Sequence, residues 1–402
     1  MKLVLKFEQM KKGIVGIVGT GPAALMAGTI LVDNGFEVQF FDQKKAAARK
    51  FLVAGHGGFN LTNSEEIESF CLKYDQELIR KAVNEYSPAD FINFLQTIGI
   101  ETYCGSSGKI FPKKGTKPIE VLNAWLNYLI VKGAAFNYEH KLIDFDQTNL
   151  TFKYKSDIRI VSFDAVIFAL GGASWKQTGS LGDWIDLVEK KKVKCNPFES
   201  SNSGLILNDL LLVPELEGTY IKNCCLFSSE FSKQGDIVLT NYGIEGAPAY
   251  AMNRDFRNGN TIYIDFKPSL MELDIVKRLR KSKNTSDGLK NLRLSKIAVN
   301  WIKSAVSKEV YLDAEQLAKH IKLFELPVVG LRPIDEVIST VGGIDMNELD
   351  NAFQLNKLPK VYCVGEMLDW DAPTGGFLIQ GAVSSGAKAA NAIVNLDRCA
   401  ED

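Results

Sequence analysis

The stretch IVGIVGTGPAALMAGTIL, residues 14–31, decides the fold. It starts with Ile14–Val18, a short β-branched run that predicts a buried parallel strand. The run leads into the turn GTGPAA (19–24), and the small apolar residues that follow predict a helix ending at Asn34-Gly35. A second predicted strand ends at Asp42. This order of strand, glycine turn, helix, strand and acid is typical of a dinucleotide-binding unit.

Each residue type in this unit has a physical reason to be there. Gly19 permits the tight turn, Gly21 lets the backbone approach a pyrophosphate, and Ala24 keeps helix and strand close together. The helix start offers free N–H groups and a positive dipole end to phosphate. Asp42 is placed to accept a hydrogen bond from a ribose hydroxyl. The alternative to dinucleotide binding is a tight structural turn that holds no ligand. The motif alone does not distinguish an NAD site from an FAD site.

Three later segments predict further glycine turns near strand ends. DAVIFALGG (164–172) is a buried strand that ends in a glycine pair, and the strand 360–364 is followed by Gly365-Glu366. Gly375-Gly376-Phe377 opens a helix of small residues, 380–394. Because open α/β sheets bind ligands outside the carboxyl ends of their strands, we expect these turns to line one site.

The rest of the chain predicts an inserted region. Residues 65–131 carry helical patterns with a helix start at Ser87-Pro88, and residues 136–163 predict a β-meander. Strands dominate 196–265, helices dominate 269–326, and Lys281–Gly288 is typical of a flexible linker. Residues 328–345 are expected to return to the sheet.

The predicted fold class is therefore α/β, with a discontinuous Rossmann-like dinucleotide-binding domain and two inserted lobes. The predicted boundaries are 1–195 and 335–402 for the Rossmann-like domain, 196–268 for a β-rich lobe and 269–334 for a helical lobe.

Composition excludes several classes of protein. The 402 residues contain 47 Lys and Arg and 48 Asp and Glu, which gives a net charge of -1. The protein as a whole therefore has no positive electrostatic field that would attract nucleic acid, although a local basic patch is still compatible with this total. No apolar run reaches the roughly 18 residues of a membrane span. Seven Cys without regular spacing do not form a secreted disulfide framework. We expect a cytoplasmic protein without nucleic-acid or membrane partners, in which Met10 is an alternative start to Met1.

Three segments carry a family resemblance: RKFLVAGHGGFNLTN (49–63), TNYGIEGAP (240–248) and VGEMLDW (364–370). They resemble bacterial flavoproteins of the BaiN-like or aminoacetone-oxidase-like family, within the two-dinucleotide-binding flavoprotein superfamily. The likeness spans nearly the whole chain, and it implies noncovalent FAD and an oxidoreductase fold. The sequence departs from the family pattern at Ala47-Ala48, where a glycine is usual, and at His56 in the glycine loop.

The resemblance also implies which residues hold the cofactor. Gly19, Gly21 and Ala24 would cradle the pyrophosphate, and Asp42 would hold the adenosine ribose. The last helix would aim N–H groups at the pyrimidine edge of the flavin, where reduction places negative charge. The full expected set is Gly19, Gly21, Pro22, Ala23, Ala24, Asp42, Gln43, Arg49, Lys50, Gly57, Gly58, Asn60, Ala169, Leu170, Gly171, Gly172, Gly365, Glu366, Gly375, Gly376, Phe377 and Leu378.

Other reactive side chains give weaker signals. His56 is a candidate for proton transfer or flavin contact, with a supporting or exposed histidine as the alternative. His140 and His320 lie far from it in sequence without metal-ligand spacing, so no metal site is expected. Trp175 and Trp370 are candidates for the flavin pocket or for the core.

The leading hypothesis is an FAD-dependent oxidoreductase that transfers hydride to or from a small molecule, with NAD(P)H as a transient donor. The alternatives are a tRNA-modifying or RNA-binding flavoprotein and a flavin-binding scaffold without turnover. The substrate and the oligomeric state stay open.

Overall fold

The computed structural model describes residues 12–53 and 59–401. Its strands follow in chain order: β1 (Ile14–Val18), β2 (Glu37–Asp42), β3 (Thr62–Asn63), β4 (Thr102–Cys104), β5 (Lys109–Pro112), β6 (Ala135–Tyr138), β7 (His140–Asp146), β8 (Asn149–Tyr154), β9 (Asp157–Ser162), β10 (Ala165–Phe168), β11 (Cys195–Ser201), β12 (Leu205–Leu207), β13 (Tyr220–Phe227), β14 (Ser232–Leu239), β15 (Gly243–Glu245), β16 (Tyr263–Asp265), β17 (Phe324–Glu325), β18 (Val328–Leu331), β19 (Ser339–Ile344) and β20 (Val361–Cys363).

The α-helices accompany these strands in both halves of the chain. They are α1 (Pro22–Asp33), α2 (Arg49–Val53), α3 (Ile67–Cys71), α4 (Glu77–Glu85), α5 (Pro88–Thr97), α6 (Pro118–Val131), α7 (Ile185–Glu189), α8 (Ala247–Ala251), α9 (Asn253–Arg257), α10 (Glu272–Arg280), α11 (Thr285–Asn291), α12 (Lys296–Ala305), α13 (Lys308–Leu312), α14 (Ala314–Lys322) and α15 (Phe377–Glu401). None of the helices in the described ranges combines the length and the apolar character needed to cross a membrane.

The described chain forms two compact units. One contains the residues up to Glu199 and from Ser339 onward, and the other is Ser200–Ile338. The first unit ends slightly after the predicted boundary at 195 and resumes slightly after the predicted boundary at 335. Strands β11 and β19, which pair with each other, lie at these two junctions.

A five-stranded parallel sheet forms the centre of the first unit, with the order β20-β10-β1-β2-β6. Val15 is in register with Ala165 on one side and with Val38 on the other, and Val166 is in register with Val361. Its central strands are buried, as strands covered on both faces must be. The predicted α/β class with a Rossmann-like sheet is confirmed.

Helix α1 is buried over most of its length because α15 packs along it and the sheet lies beneath it. Two glycines permit this packing. A Cβ at Gly28 would lie 2.2 Å from the ring of Phe40, and a Cβ at Gly386 would lie 2.1 Å from the carbonyl oxygen of Ala23. Any side chain at either position would separate these layers.

The predicted meander corresponds to an antiparallel sheet of β7, β8 and β9. Strand β6, which the same prediction included, instead pairs in parallel with β2 through Gln39 and Ala135. A parallel strand needs a crossover connection, and α6 supplies it. The predicted helix start at Ser87 is confirmed, because Ser87 and Asp90 cap α5 reciprocally.

The second unit contains a seven-stranded sheet of order β17-β16-β13-β14-β15-β12-β18 and the helices α8–α14. The β-rich and helical lobes were predicted as separate segments, but Ile264, Phe324 and Trp301 share one hydrophobic core. The predicted linker Lys281–Gly288 contains the start of α11, which Asn284 caps by accepting a hydrogen bond from the Asp287 N–H. Strand β18 pairs with β12 and β19 with β11, so residues 328–345 do not join the parallel sheet as expected.

Candidate functional site

The carboxyl ends of β10, β1 and β2 lie side by side at one edge of the parallel sheet. The turn after β1 is held against its neighbours, because the Gly19 N–H donates to the Phe41 carbonyl at 2.8 Å. Gly19 has a φ of 107°, and a Cβ there would lie 2.2 Å from the carbonyl oxygen of Ala169. The predicted turns after β1 and β10 are therefore in direct contact at the point where the sheet order reverses, which is where such sheets bind ligands.

Helix α1 begins beside open space. Gly21 is its N-cap, contributes no capping side chain, and is followed by Pro22 at the first helical position. Apart from Gly21 and its two chain neighbours, no heavy atom of the described residues lies within 4 Å of where a Cβ of Gly21 would be, in contrast to the crowded Gly19. The uncapped first turn and the free volume next to it form a cradle of the kind that a phosphate group fills.

Asp42 ends β2 close to this cradle. The Thr20 hydroxyl donates to one carboxylate oxygen, and the Lys44 N–H donates to the other at 2.8 Å. Burial raises the pKa of Asp42 above its ordinary value, and these two hydrogen bonds oppose the shift. Sequence reasoning missed Thr20, although its position inside the glycine turn was a signal that its side chain would reach the end of the next strand.

A polar cluster joins the turn after β10 to the turn after β20. The Lys50 ammonium lies 2.6 and 2.7 Å from the two carboxylate oxygens of Glu366 and 2.7 Å from the Ser174 hydroxyl. The Thr340 N–H donates to Glu366 at 3.2 Å, and the Thr340 hydroxyl accepts from the Ala173 N–H at 3.3 Å. Two predicted residues, Lys50 and Glu366, are therefore brought together across 316 positions of sequence.

Thr340 and Ser174 were absent from the predicted set. A Cβ at Gly172 would lie 2.2 Å from the Thr340 hydroxyl oxygen, so Gly172 is required by the strand that carries Thr340. The pair Gly342-Gly343, two residues after Thr340, was the available signal, because it repeats the glycine pairs of the other turns.

The start of α15 lies against the segment that follows residue 58. A Cβ at Gly376 would lie 2.4 Å from the carbonyl of Thr62, and the Asn63 amide donates to the Gly375 carbonyl at 3.1 Å. The Thr62 hydroxyl donates to Gln380 at 2.8 Å. The structure thus brings the predicted N-terminus of the last helix next to the segment that contains Asn60.

The remaining predicted residues occupy varied positions. Gln43 donates to the Gly179 carbonyl at 3.0 Å, Arg49 is exposed on α2, and Asn60 and Leu378 are half-buried. Ala169, Leu170 and Gly171 follow β10, Ala23 and Ala24 are buried in the first turn of α1, and Phe377 is buried at the start of α15. His56, Gly57 and Gly58 lie outside the described residues.

Trp370 and Trp175 differ in their surroundings. Trp370 is buried and its indole N–H donates to the Gly365 carbonyl at 2.8 Å, so it supports the turn after β20 from the core. Trp175 is 37% exposed.

His140 is buried and stacked on Tyr154. Within the described ranges, no group of three His, Cys, Asp or Glu side chains could hold a metal ion.

The segment 240–248 forms a polar cluster in the second unit. The hydroxyls of Tyr242 and Tyr250 both donate to Glu245, and the guanidinium of Arg332 stacks on the Tyr242 ring at 4.1 Å. Burial and Glu245 raise the pKa of Tyr250 to about 12. Each phenol therefore stays protonated at neutral pH and gives its single proton to Glu245.

Known proteins resemble this chain over nearly its full length. The ribosomal RNA dihydrouridine synthase of Escherichia coli is 20% identical over 92% of this chain and 95% of its own. The 3-dehydro-bile acid delta(4,6)-reductase of Clostridium scindens is 22% identical over 94% of this chain and 98% of its own. A 3-ketosteroid-delta4-(5alpha)-dehydrogenase from Rhodococcus jostii shares the fold with a TM-score of 0.50 and 10% identity, over 98% of this chain and 99% of that chain.

A family model described as the HI0933-like protein Rossmann domain matches residues 14–392, which include both units and every turn described above. The family resemblance predicted from the motifs is confirmed. The chain belongs to the HI0933-like protein Rossmann domain family.

Proposed function

We propose that this protein is an FAD-dependent oxidoreductase that adds hydrogen to a carbon–carbon double bond in its substrate. The observation that carries the proposal is the open cradle at Gly21, at the sheet edge where the turns after β1 and β10 touch. Bound FAD supplies the hydride chemistry, and the protein supplies binding, orientation and electrostatics.

The residues at the sheet edge fit FAD by chemical type. The first turn of α1 offers uncapped N–H groups to the pyrophosphate, and Asp42 offers carboxylate oxygens to the ribose. Lys50 supplies a positive charge that Glu366 holds in place. The start of α15 is the element we expect to face the flavin ring, since a helix N-terminus stabilises the negative charge that reduction produces there.

The substrate class is inferred from the relatives. The names dihydrouridine synthase and delta(4,6)-reductase both describe hydrogen added across a double bond of a ring. We therefore infer that this protein acts on an unsaturated ring, with NAD(P)H as a transient donor.

Anaerobic stopped-flow spectroscopy tests the proposal. We expect the purified protein to be yellow, to lose its flavin absorbance near 450 nm with NADH or NADPH, and to regain it when a cyclic compound with an activated double bond is added. Free FAD at the same concentration is the control. Reduction without reoxidation by any member of such a panel would favour a flavin scaffold without turnover.

Asp42 predicts a pH dependence of FAD binding. Its pKa is raised from 3.8 by burial, so protonation begins above the ordinary aspartate range. The ionised carboxylate is the stronger acceptor for a ribose hydroxyl, so we expect FAD affinity to fall as the pH falls through that raised pKa. Asp42→Asn should bind FAD roughly tenfold more weakly at neutral pH and lack this fall. Fluorescence titrations of FAD between about pH 4 and pH 8 measure both effects.

The matched control for Asp42 is Asp186→Asn, an exposed position on α7. The folding stability of the FAD-free protein should depend on pH in the opposite direction to FAD affinity. The contribution of Asp42 to stability is complete below its pKa in the unfolded chain and is lost as the pH rises through its raised pKa in the folded protein. An affinity that stays flat with pH in the unmodified protein would contradict a role for Asp42 in holding the ribose.

An RNA substrate is the second candidate, since two of the relatives are named as ribosomal RNA dihydrouridine synthases. Reoxidation of the reduced protein by RNA, and not by the small ring compounds, would favour it. The expectation of no nucleic-acid partner rested on the net charge alone, and it stays a prediction.

A further inference from the structure

Positive charge is concentrated in one part of the second unit. Residues 277–308 contain ten Lys and Arg and a single acidic residue, Asp287. The whole chain has 47 basic and 48 acidic residues, so the remainder carries 37 basic against 47 acidic ones. The near-zero net charge is therefore the sum of a strongly basic segment and an acidic remainder of the chain.

All ten of these basic side chains are exposed. They lie on or between α10, α11, α12 and the start of α13. The apolar faces of α10, α11 and α12 are buried in the core of the unit through Ile275, Leu289 and Trp301. We call the Lys and Arg side chains of residues 277–308 the basic surface.

Few acidic groups neutralise the basic surface. Arg280 pairs with Glu315 at 2.7 Å, and Lys277 and Lys290 lie at 4.0 and 3.8 Å from carboxylates on their own helices. Ion pairs between side chains as exposed as these have small interaction energies. The other seven basic side chains have no ion pair in the part of the chain that the structure describes.

A depression lies at the edge of the basic surface, and one of its cations, Arg280, lines it. A cavity of about 210 Å³ is lined by Arg280, Asn284 and Tyr311, among others. The Lys303 ammonium lies 5.6 Å from the centre of the Tyr311 ring. Lys308 lies three residues before Tyr311 on α13, and Lys283 precedes Asn284. The Tyr311 ring with the Lys303 ammonium beside it is an aromatic group next to a cation, a combination that single-stranded nucleic acids bind.

We propose that the basic surface binds single-stranded nucleic acid, either a loop of RNA or a DNA strand, through its phosphate groups. An anionic membrane fits less well, because membrane binding by a basic helix also needs apolar side chains beside the cations. In residues 277–308 the exposed side chains other than Lys and Arg are mainly polar, including Asn284, Asn291 and Asn300. Large apolar side chains are exposed only on either side of this segment, at Met271, Leu273 and Leu312 among the described residues nearby. This proposal concerns binding and does not depend on the flavin reaction.

Fluorescence anisotropy with a labelled 20-nucleotide RNA of mixed sequence, and with DNA of the same sequence, tests the proposal on the FAD-loaded full chain. With about four phosphate contacts, affinity should fall roughly 50-fold between 50 and 200 mM salt. The variant Lys283→Glu/Lys303→Glu/Lys308→Glu should bind at least about tenfold more weakly at 100 mM salt and show a shallower salt dependence.

The matched control is Lys153→Glu/Lys222→Glu/Lys233→Glu, which changes the net charge equally at exposed positions on β8, β13 and β14. It should keep the affinity of the unmodified protein, and thermal melting should show both variants folded. The proposal would be overturned if the unmodified protein bound neither strand at 50 mM salt, if the control lost affinity equally, or if only phosphatidylserine vesicles were bound. Flavin reduction is measured separately, so loss of nucleic-acid binding is distinguishable from failure of the oxidoreductase proposal.

Discussion

The variant Gly21→Val is expected to fold normally and to lose FAD. Apart from its chain neighbours, a Cβ at Gly21 meets no heavy atom of the described residues within 4 Å, and the φ of -72° at Gly21 is open to any residue, so we expect valine to be accommodated there. The added side chain instead fills the cradle beside the first turn of α1, where we expect the pyrophosphate. FAD should bind at least about 100-fold more weakly, which corresponds to roughly 2.7 kcal/mol. The ratio of absorbance near 450 nm to that at 280 nm, and FAD titration of the stripped protein, measure this loss.

Gly330→Val is the matched control for Gly21→Val. Gly330 lies in β18, and a Cβ there would meet only Ile206, at an ordinary 3.8 Å. This variant should fold, melt as the unmodified protein does and retain its yellow colour. If Gly21→Val also remained fully yellow, the free volume at α1 would be a gap in packing and not the pyrophosphate site.

The variant Gly386→Val should destabilise the first unit strongly. A Cβ at Gly386 would lie 2.1 Å from the Ala23 carbonyl oxygen and 2.9 Å from its carbon, so α15 must move away from α1. Overpacking against a helix backbone costs about 3 kcal/mol. For a unit of this size, such a cost lowers the melting temperature by roughly 6–12 °C. Thermal unfolding followed by circular dichroism, without added FAD, measures the change.

The exposed position Asn391 on the same helix provides the control, since Asn391→Val introduces the same β-branched side chain away from α1. Its melting temperature should shift little. Equal melting temperatures for Gly386→Val and the unmodified protein would show that α15 does not depend on the close approach at Ala23.

The sequence predicted structure correctly where the local residue pattern by itself specifies an element and its place in the sheet. The β-branched run at 14–18, the glycine turn and the acid at Asp42 predict strand, turn and ribose acceptor because each residue type has a local steric or chemical reason. The glycine turns after β1 and β10 could also be placed at one sheet edge, because parallel strands end on the same side.

Contacts across long sequence separations could not be predicted in this way. Nothing near Lys50 indicates that its partner is Glu366, and Thr340 reaches Gly172 only because β19 pairs with β11. The prediction of a flexible linker at residues 281–288 was wrong for a related reason. Its polar composition is typical of a loop, yet Asn284 caps α11 and Leu289 is buried in the core of the unit, so tertiary packing overrides composition.

The path of the chain through the first unit has a consequence for biosynthesis. Strands β1, β2 and β10 leave the ribosome before residues 200–338, whereas β20 and α15 leave it after them. The nascent domain therefore leaves an edge of β10 unpaired and one side of α1 uncovered until β20 and α15 have been synthesised, a period of roughly 10–40 s at elongation rates of about 5–20 residues per second. Such an edge invites aggregation. A chaperone that covers this edge during synthesis would therefore protect the incomplete domain from aggregation.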